Sequence, residues 1–218
     1  MRDDTTAMRH DTAAMRDETI ARFLGQLAAR VPAPGGGATA ALHAAVAAAL
    51  LGMVARYSDG PRYDARVTGH IRAAADELMD EALSLADADA SAFGAVTDAY
   101  RLPKETQQQQ AERSAAIAGA LAGAGRPPAG VLAAALRLTG LAEDLLPAAN
   151  RNVISDVAAA AEAARAAAVM ARVNIEVNLR GIKDPAIRGD LQATAATADD
   201  IAARADRVVA AVRQEIGR

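Results

Sequence analysis

Between Arg30 and Arg56 the chain carries no lysine, arginine, aspartate or glutamate, and from Ala38 to Ala55 only Thr39 and His43 interrupt an apolar run. A helix without a charged face has to be surrounded, by other helices or by lipid. Two prolines and three glycines open this stretch, and its apolar part is mostly alanine, which inserts into bilayers more weakly than leucine or isoleucine; a buried helix is therefore predicted over a membrane span. The same residue sets the character of the whole chain, which is 52% hydrophobic yet 2% aromatic and lacks tryptophan. Alanine favours helix and fills little space, so a core built from it needs helix backbones drawn close together. The expectation is many tightly packed helices, completed by a second subunit.

Breakers divide the rest into helical segments. Ile20, Phe23, Leu24 and Leu27 recur at helical spacing ahead of Pro32 and Pro34, and a second helix runs from after Gly37 to about Tyr57. A long helix over 64–101, with Ile71, Leu78, Met79, Leu83, Leu85, Phe93 and Val96 available for burial, ends at Pro103. Further helices are predicted over 104–123, where Gly119 and Gly123 lie one turn apart as a close-approach pair, over 129–145 after the break at Gly125–Pro128, from Asn152 or Ser155 to Leu179, and over 186–216. No stretch alternates with period two. The fold class is all-α, a bundle of about six to eight helices.

At 218 residues this is one ordinary domain. The N-terminus repeats every seven residues, from Met1, Met8 and Met15, and only the third copy runs into apolar periodicity, so residues 1–14 read as a poorly ordered tail and 15–218 as the folded domain. A net charge of -3 with few aromatics offers no footprint for nucleic acid. The absence of cysteine removes thiol chemistry and fits a reducing compartment. The acidic first residues do not resemble a secretory leader, and a cytoplasmic location is expected.

Three groups of residues could carry chemistry. Pro34, Gly35, Gly36 and Gly37 lead directly into a helix and offer uncovered backbone N–H groups at its positive end, a cradle for an anion or carbonyl; a tight turn or a close helix crossing explains the same glycines. Asp87 and Asp89 point about 200° apart on their helix, so both cannot face one site, and Lys104 follows a proline break. Asn150, Asn152, Ser155 and Asp156 gather at one helix start, while Asn174 and Asn178 share one face of that helix, for ligand binding or for bonds between helices. His10, His43 and His70 show no metal-ligand spacing, and His43 reads as a satisfied core group.

In this order, Pro32-Ala-Pro-Gly-Gly-Gly37, Ala40-Ala-Leu42, Met53-Val54, Asp87-Ala-Asp-Ala-Ser-Ala-Phe93, Tyr100-Arg-Leu-Pro-Lys104, Asn152–Asp156 and Asn174-Ile-Glu-Val-Asn-Leu179 resemble the cyclodeaminase/cyclohydrolase family. That family comprises the C-terminal domain of formiminotransferase-cyclodeaminase and the free-standing methenyltetrahydrofolate cyclohydrolases. The resemblance covers Met15 to the end. Ala38 departs from it where a serine is expected, His43 where a small residue is usual, and Tyr57-Ser58 where Leu-Thr is usual.

The resemblance implies a helical homodimer acting on a tetrahydrofolate derivative, with no metal and no cofactor beyond that substrate. Hydrolysis of 5,10-methenyltetrahydrofolate to 10-formyltetrahydrofolate ranks first, because no formiminotransferase domain accompanies the sequence. Release of ammonia from formiminotetrahydrofolate is the second reading, and a non-catalytic folate-binding or assembly protein the third. Asp89 or Asp87 would stabilise the cation or activate water, and Lys104 would bind a carboxylate or shuttle a proton. Pro34 and the glycine turn, with Asn150, Ser155, Asp156, Asn174 and Asn178, would orient the ligand.

Overall fold

A computed structural model describes residues 14–218. The first two copies of the seven-residue repeat thus lie, but for Ala14, outside the described residues. Met15–Asp17 form a single 3₁₀ turn, and seven α-helices follow: α1 Ile20–Leu27, α2 Gly36–Tyr57, α3 Ala65–Arg101, α4 Gln107–Ala124, α5 Arg126–Leu145, α6 Ile154–Leu179 and α7 Pro185–Ile216. Among the described residues there is no strand, as the lack of period-two patterning requires.

The uncharged segment becomes α2, packed against α3, α5 and α6. It is long and apolar enough to cross a membrane by composition, but 61% of its most apolar window is buried inside the bundle. Ala38, Ala40, Ala41, Ala44, Ala47 and Ala48 are all at or below 1% exposure, and facing them are alanines of α6 from Ala160 to Ala171 that are equally buried. Larger side chains, among them Leu51, Leu78, Leu138, Leu145, Ile175 and Ile201, fill the spaces between backbones. α2 and α6 run antiparallel: the start of α2 at Gly36 lies beside Asn174 near the end of α6, and the end of α2 meets Asn150 just before α6 begins.

Helix boundaries follow local chemistry. Thr19, Asp64, Thr106 and Asp184 cap α1, α3, α4 and α7 through side-chain oxygens, and Thr106 with Gln109 completes a capping box. Pro127 and Pro128 do not end a helix; they occupy the first turn of α5, where the missing N–H groups have no intrahelical partner to lose. Neither Asn152 nor Ser155 caps α6, which starts after Val153 without a side-chain cap, while Asn150 caps the preceding 3₁₀ turn Arg151–Val153.

Two packing expectations are corrected. Only Phe23 of the α1 stripe is buried; Ile20 and Leu24 stand 79% and 54% exposed, because α1 touches the rest of the chain at few points. Gly119 and Gly123 face open space, and α5 meets α3 closely instead at Gly130, where a Cβ would come within 2.7 Å of Leu85.

Candidate active site

The site is built where three helices end or leave the core. The last third of α3 projects beyond the buried bundle, and Asp89, Phe93, Val96 and Tyr100, spaced four, three and four residues apart, form one stripe along it. Opposite stand the start of α2 and the end of α6. Between them lies a cavity of about 530 Å³, lined by the glycine turn, this stripe, Leu121 of α4, and Asn174, Val177, Asn178 and Arg180 of the α6 terminus.

Asp89 marks the deep end. It accepts a hydrogen bond from the backbone N–H of Ala38 in the first turn of α2, and burial nevertheless holds its carboxyl above the usual aspartate range. The carboxylate approaches so closely that any side chain at residue 37 would overlap it; Gly37 is required here for space. The glycine turn is thus both a close approach and a cradle, with the chain's own acid seated in it. Pro34 is buried behind the turn and does not line the cavity, whereas Gly35, Gly36 and Gly37 do.

The two asparagines of α6 also face this space. Asn174 donates its amide N–H to the Met170 carbonyl at 2.8 Å and Asn178 to the Ala124 carbonyl at 2.9 Å, which leaves their amide oxygens as acceptors to offer a ligand. Asn178 therefore ties the end of α4 to α6 while lining the cavity, so the alternatives of interhelical bond and ligand contact coincide in one residue.

The remaining candidates lie elsewhere. Asp87, on the other face of α3, accepts from the backbone N–H of Met15 at 2.7 Å and pairs with Arg16 at 3.7 Å, so it anchors the N-terminal turn. Lys104 is exposed outside the cavity, its backbone carbonyl accepting from Gln110 at 3.0 Å. Asn150 accompanies the far end of α2: its N–H donates to Ser58 Oγ and its amide to the Tyr57 carbonyl. Ser155 and Asp156 sit at the start of α6, roughly 30 Å along the axis from Asn174 and Asn178 at 1.5 Å per residue. His43 is half-buried on the outer side of α2, its Nδ1 2.9 Å from the Thr39 carbonyl.

Sequence reasoning gave Phe93, Val96, Tyr100, Leu121, Arg180 and Gly181 no site role and expected Phe93 and Val96 to be buried, yet all six line the cavity and Phe93 stands 49% exposed. The signal that points to the α3 members is the heptad-like stripe running from Asp89, in a chain with two phenylalanines and three tyrosines in all.

A helical bundle with a half-buried acid held by a glycine-rich helix start, an apolar throat and amide acceptors defines a class of small-molecule cavity with one titratable acid in its wall. The chain belongs to the formiminotransferase-cyclodeaminase family, whose model matches residues 19–197. It is 35% identical over 170 residues, 77% of this chain and 82% of the relative, to a methenyltetrahydrofolate cyclohydrolase of Methylorubrum extorquens. It is 32% identical over 169 residues to the formimidoyltransferase-cyclodeaminase of Mus musculus, covering 74% of this chain and 30% of that longer protein. Among solved structures it resembles the formiminotetrahydrofolate cyclodeaminase of Thermotoga maritima, with a TM-score of 0.81 and 26% identity over 92% of this chain and 98% of that one.

Proposed function

We propose that the chain is a methenyltetrahydrofolate cyclohydrolase, opening 5,10-methenyltetrahydrofolate with water to give 10-formyltetrahydrofolate. The observation that carries the reading is the Asp89 carboxyl at the floor of the cavity, above the usual aspartate range and beside the N–H groups of α2. The methenyl carbon bridging N5 and N10 is already cationic, so it needs no metal to become electrophilic. The ionised carboxylate attracts that cation and takes a proton from the attacking water. A neutral tetrahedral carbon bearing the new hydroxyl results. The protonated carboxyl then gives its proton to N5 as the carbon–N5 bond breaks, the hydroxyl proton departs to solvent, and the formyl group stays on N10. A carboxyl held above its usual range exchanges protons more readily near neutral pH.

Gly35, Gly36 and the amide oxygens of Asn174 and Asn178 orient the polar ring of the ligand, and Phe93 and Tyr100 flank its flat apolar part. The cytoplasm is the proposed place of action, and no cofactor beyond the tetrahydrofolate substrate is proposed. A specific observation keeps the cyclodeaminase reading as the alternative: the Thermotoga structure is matched over nearly its whole length. In that reaction N10 attacks a formimino carbon and ammonia leaves, again through a tetrahedral carbon.

The test is loss of methenyltetrahydrofolate absorbance by the purified chain against the spontaneous rate. Acceleration is expected; no acceleration together with no ammonia from formiminotetrahydrofolate would remove both enzymatic readings and leave the binding protein.

We also propose that the chain works as a homodimer through the outer faces of α2 and α6. Val46 and Tyr57 on α2 and Val169, Val173 and Val177 on α6 are between 43% and 61% exposed, on a face where α2 carries no charge before Arg56. Exposed apolar side chains of this kind on two adjacent helices mark a protein interface, and a second copy supplies the same side chains in return. Val177 belongs to both the band and the cavity wall, so the interface borders the site.

A further inference from the structure

We propose that Arg180 is the specificity residue of the cavity, the group that reads the glutamate carboxylate of a folate. This rests on the folate reading above. Among the described residues only two charged ones line the cavity, Asp89 at its floor and Arg180 on the terminus of α6. The other arginines of α6 are occupied: Arg165 pairs with Glu162 and Asp206, and Arg172 with Glu176 and Asp199. Arg113, next to the cavity wall, is engaged with Tyr100, lying over its ring and donating to its carbonyl at 3.1 Å. Among the described residues Arg180 has no carboxylate within ion-pair distance. Nor is it spent on capping its own helix, because Arg188 reaches back to the carbonyls of Leu179 and Ile182.

An exposed guanidinium with no internal partner, at the border of an otherwise uncharged throat, is arranged for an anion brought by the ligand. The cavity wall supplies the rest of the match. From Asp89 to Tyr100 the α3 stripe spans about 17 Å at 1.5 Å per residue, carrying one acid and then Phe93, Val96 and Tyr100. A ligand with a polar head, an aromatic body and an anionic tail meets the acid, the aromatic stripe and the guanidinium in one cavity. The pterin and its one-carbon unit reach Asp89, the aminobenzoyl ring lies against the aromatic stripe, and the glutamate meets Arg180.

The experiment compares 5,10-methenyltetrahydrofolate with 5,10-methenyltetrahydropteroate, the same ring system without glutamate, in the wild type, Arg180→Ala and Arg180→Lys. One charge-assisted contact corresponds to a wild-type preference of roughly ten- to a hundredfold in kcat/KM for the glutamate-bearing substrate. The ratio is expected to collapse towards one in Arg180→Ala, to be partly kept in Arg180→Lys, and to shrink with added salt in the wild type. Titration of tetrahydrofolate and tetrahydropteroate by calorimetry reads the same preference without turnover. If the wild type binds tetrahydrofolate preferentially through Arg180 yet hydrolyses nothing, the catalytic reading fails and this inference stands. If hydrolysis is catalysed but Arg180→Ala keeps the wild-type ratio, or the wild type shows no preference, the inference is overturned and the catalytic reading stands. Neither binding nor hydrolysis would overturn both.

Discussion

At the scale of the residue, Asp89 and Gly37 act as a pair. Because burial raises the Asp89 carboxyl, the folded state binds that proton more tightly than the unfolded one. Its contribution to stability is present below the usual aspartate range and lost as pH rises through the raised value. Asp89→Asn removes the buried charge and keeps an acceptor for the Ala38 N–H, so it is expected to melt no lower than the wild type at neutral pH. Its turnover falls by about 10²–10⁴-fold. The acid limb of the wild-type kcat/KM profile is expected above the ordinary aspartate range and absent from the variant. A melting point below wild type at neutral pH would contradict the burial argument. Gly37→Ala would gain about 1 kcal/mol in helix propensity, but its methyl group overlaps the carboxylate. In the wild-type background it is therefore expected to destabilise and to inactivate, and beside Asp89→Ala to be neutral or stabilising. Denaturant titration of the four proteins measures that coupling.

At the scale of the element, two helices show how a sequence pattern becomes a role. The geometric statement that Asp87 and Asp89 cannot share a face held in the structure: one acid anchors the Met15 turn and the other floors the cavity. Which did which was invisible, because it depends on which side of α3 meets the start of α2. The extent of α2 was legible to within a residue or two from the absence of charge. The separation of Asn150, Ser155 and Asp156 from Asn174 and Asn178 followed from α6 being one unbroken helix of 26 residues, and sequence proximity to a motif concealed that length. Between α5 and α7, Arg204 grips Glu143 with two bonds, at 3.0 and 2.6 Å, and holds its carboxyl below the usual glutamate range. Both groups are partly exposed, so Glu143→Gln is expected to cost only about 1 kcal/mol in urea unfolding. With a lowered value, that contribution is present above the ordinary glutamate range and disappears as pH falls below it, so wild type and variant converge in acid.

At the scale of the whole molecule, the all-helical class was legible from alanine, breakers and missing period-two patterns, and so was the family. What could not be read was the end of the molecule that holds the site, since the motifs name residues at both ends of the antiparallel α2–α6 pair. The exposed band on that pair gives the remaining expectation. Wild-type chain is expected to sediment at twice 22.3 kDa, and Val46→Glu or Val173→Glu to sediment as a monomer with helicity retained. Because Val177 shares the band and the cavity, loss of the dimer should also raise KM. A wild type that sediments as a monomer would sink the interface.

The chain has no tryptophan and three tyrosines, Tyr57, Tyr63 and Tyr100. Tyr100 lines the cavity that a folate would enter, and Tyr57 stands on the exposed band where a second copy would dock. A protein almost silent in the near ultraviolet thus carries one intrinsic fluorophore at its ligand throat and another on its association face. Replacing Tyr63 together with either of these tyrosines by phenylalanine would isolate the emission of the other, and the two events, filling the cavity and pairing the subunits, could be followed separately without a label.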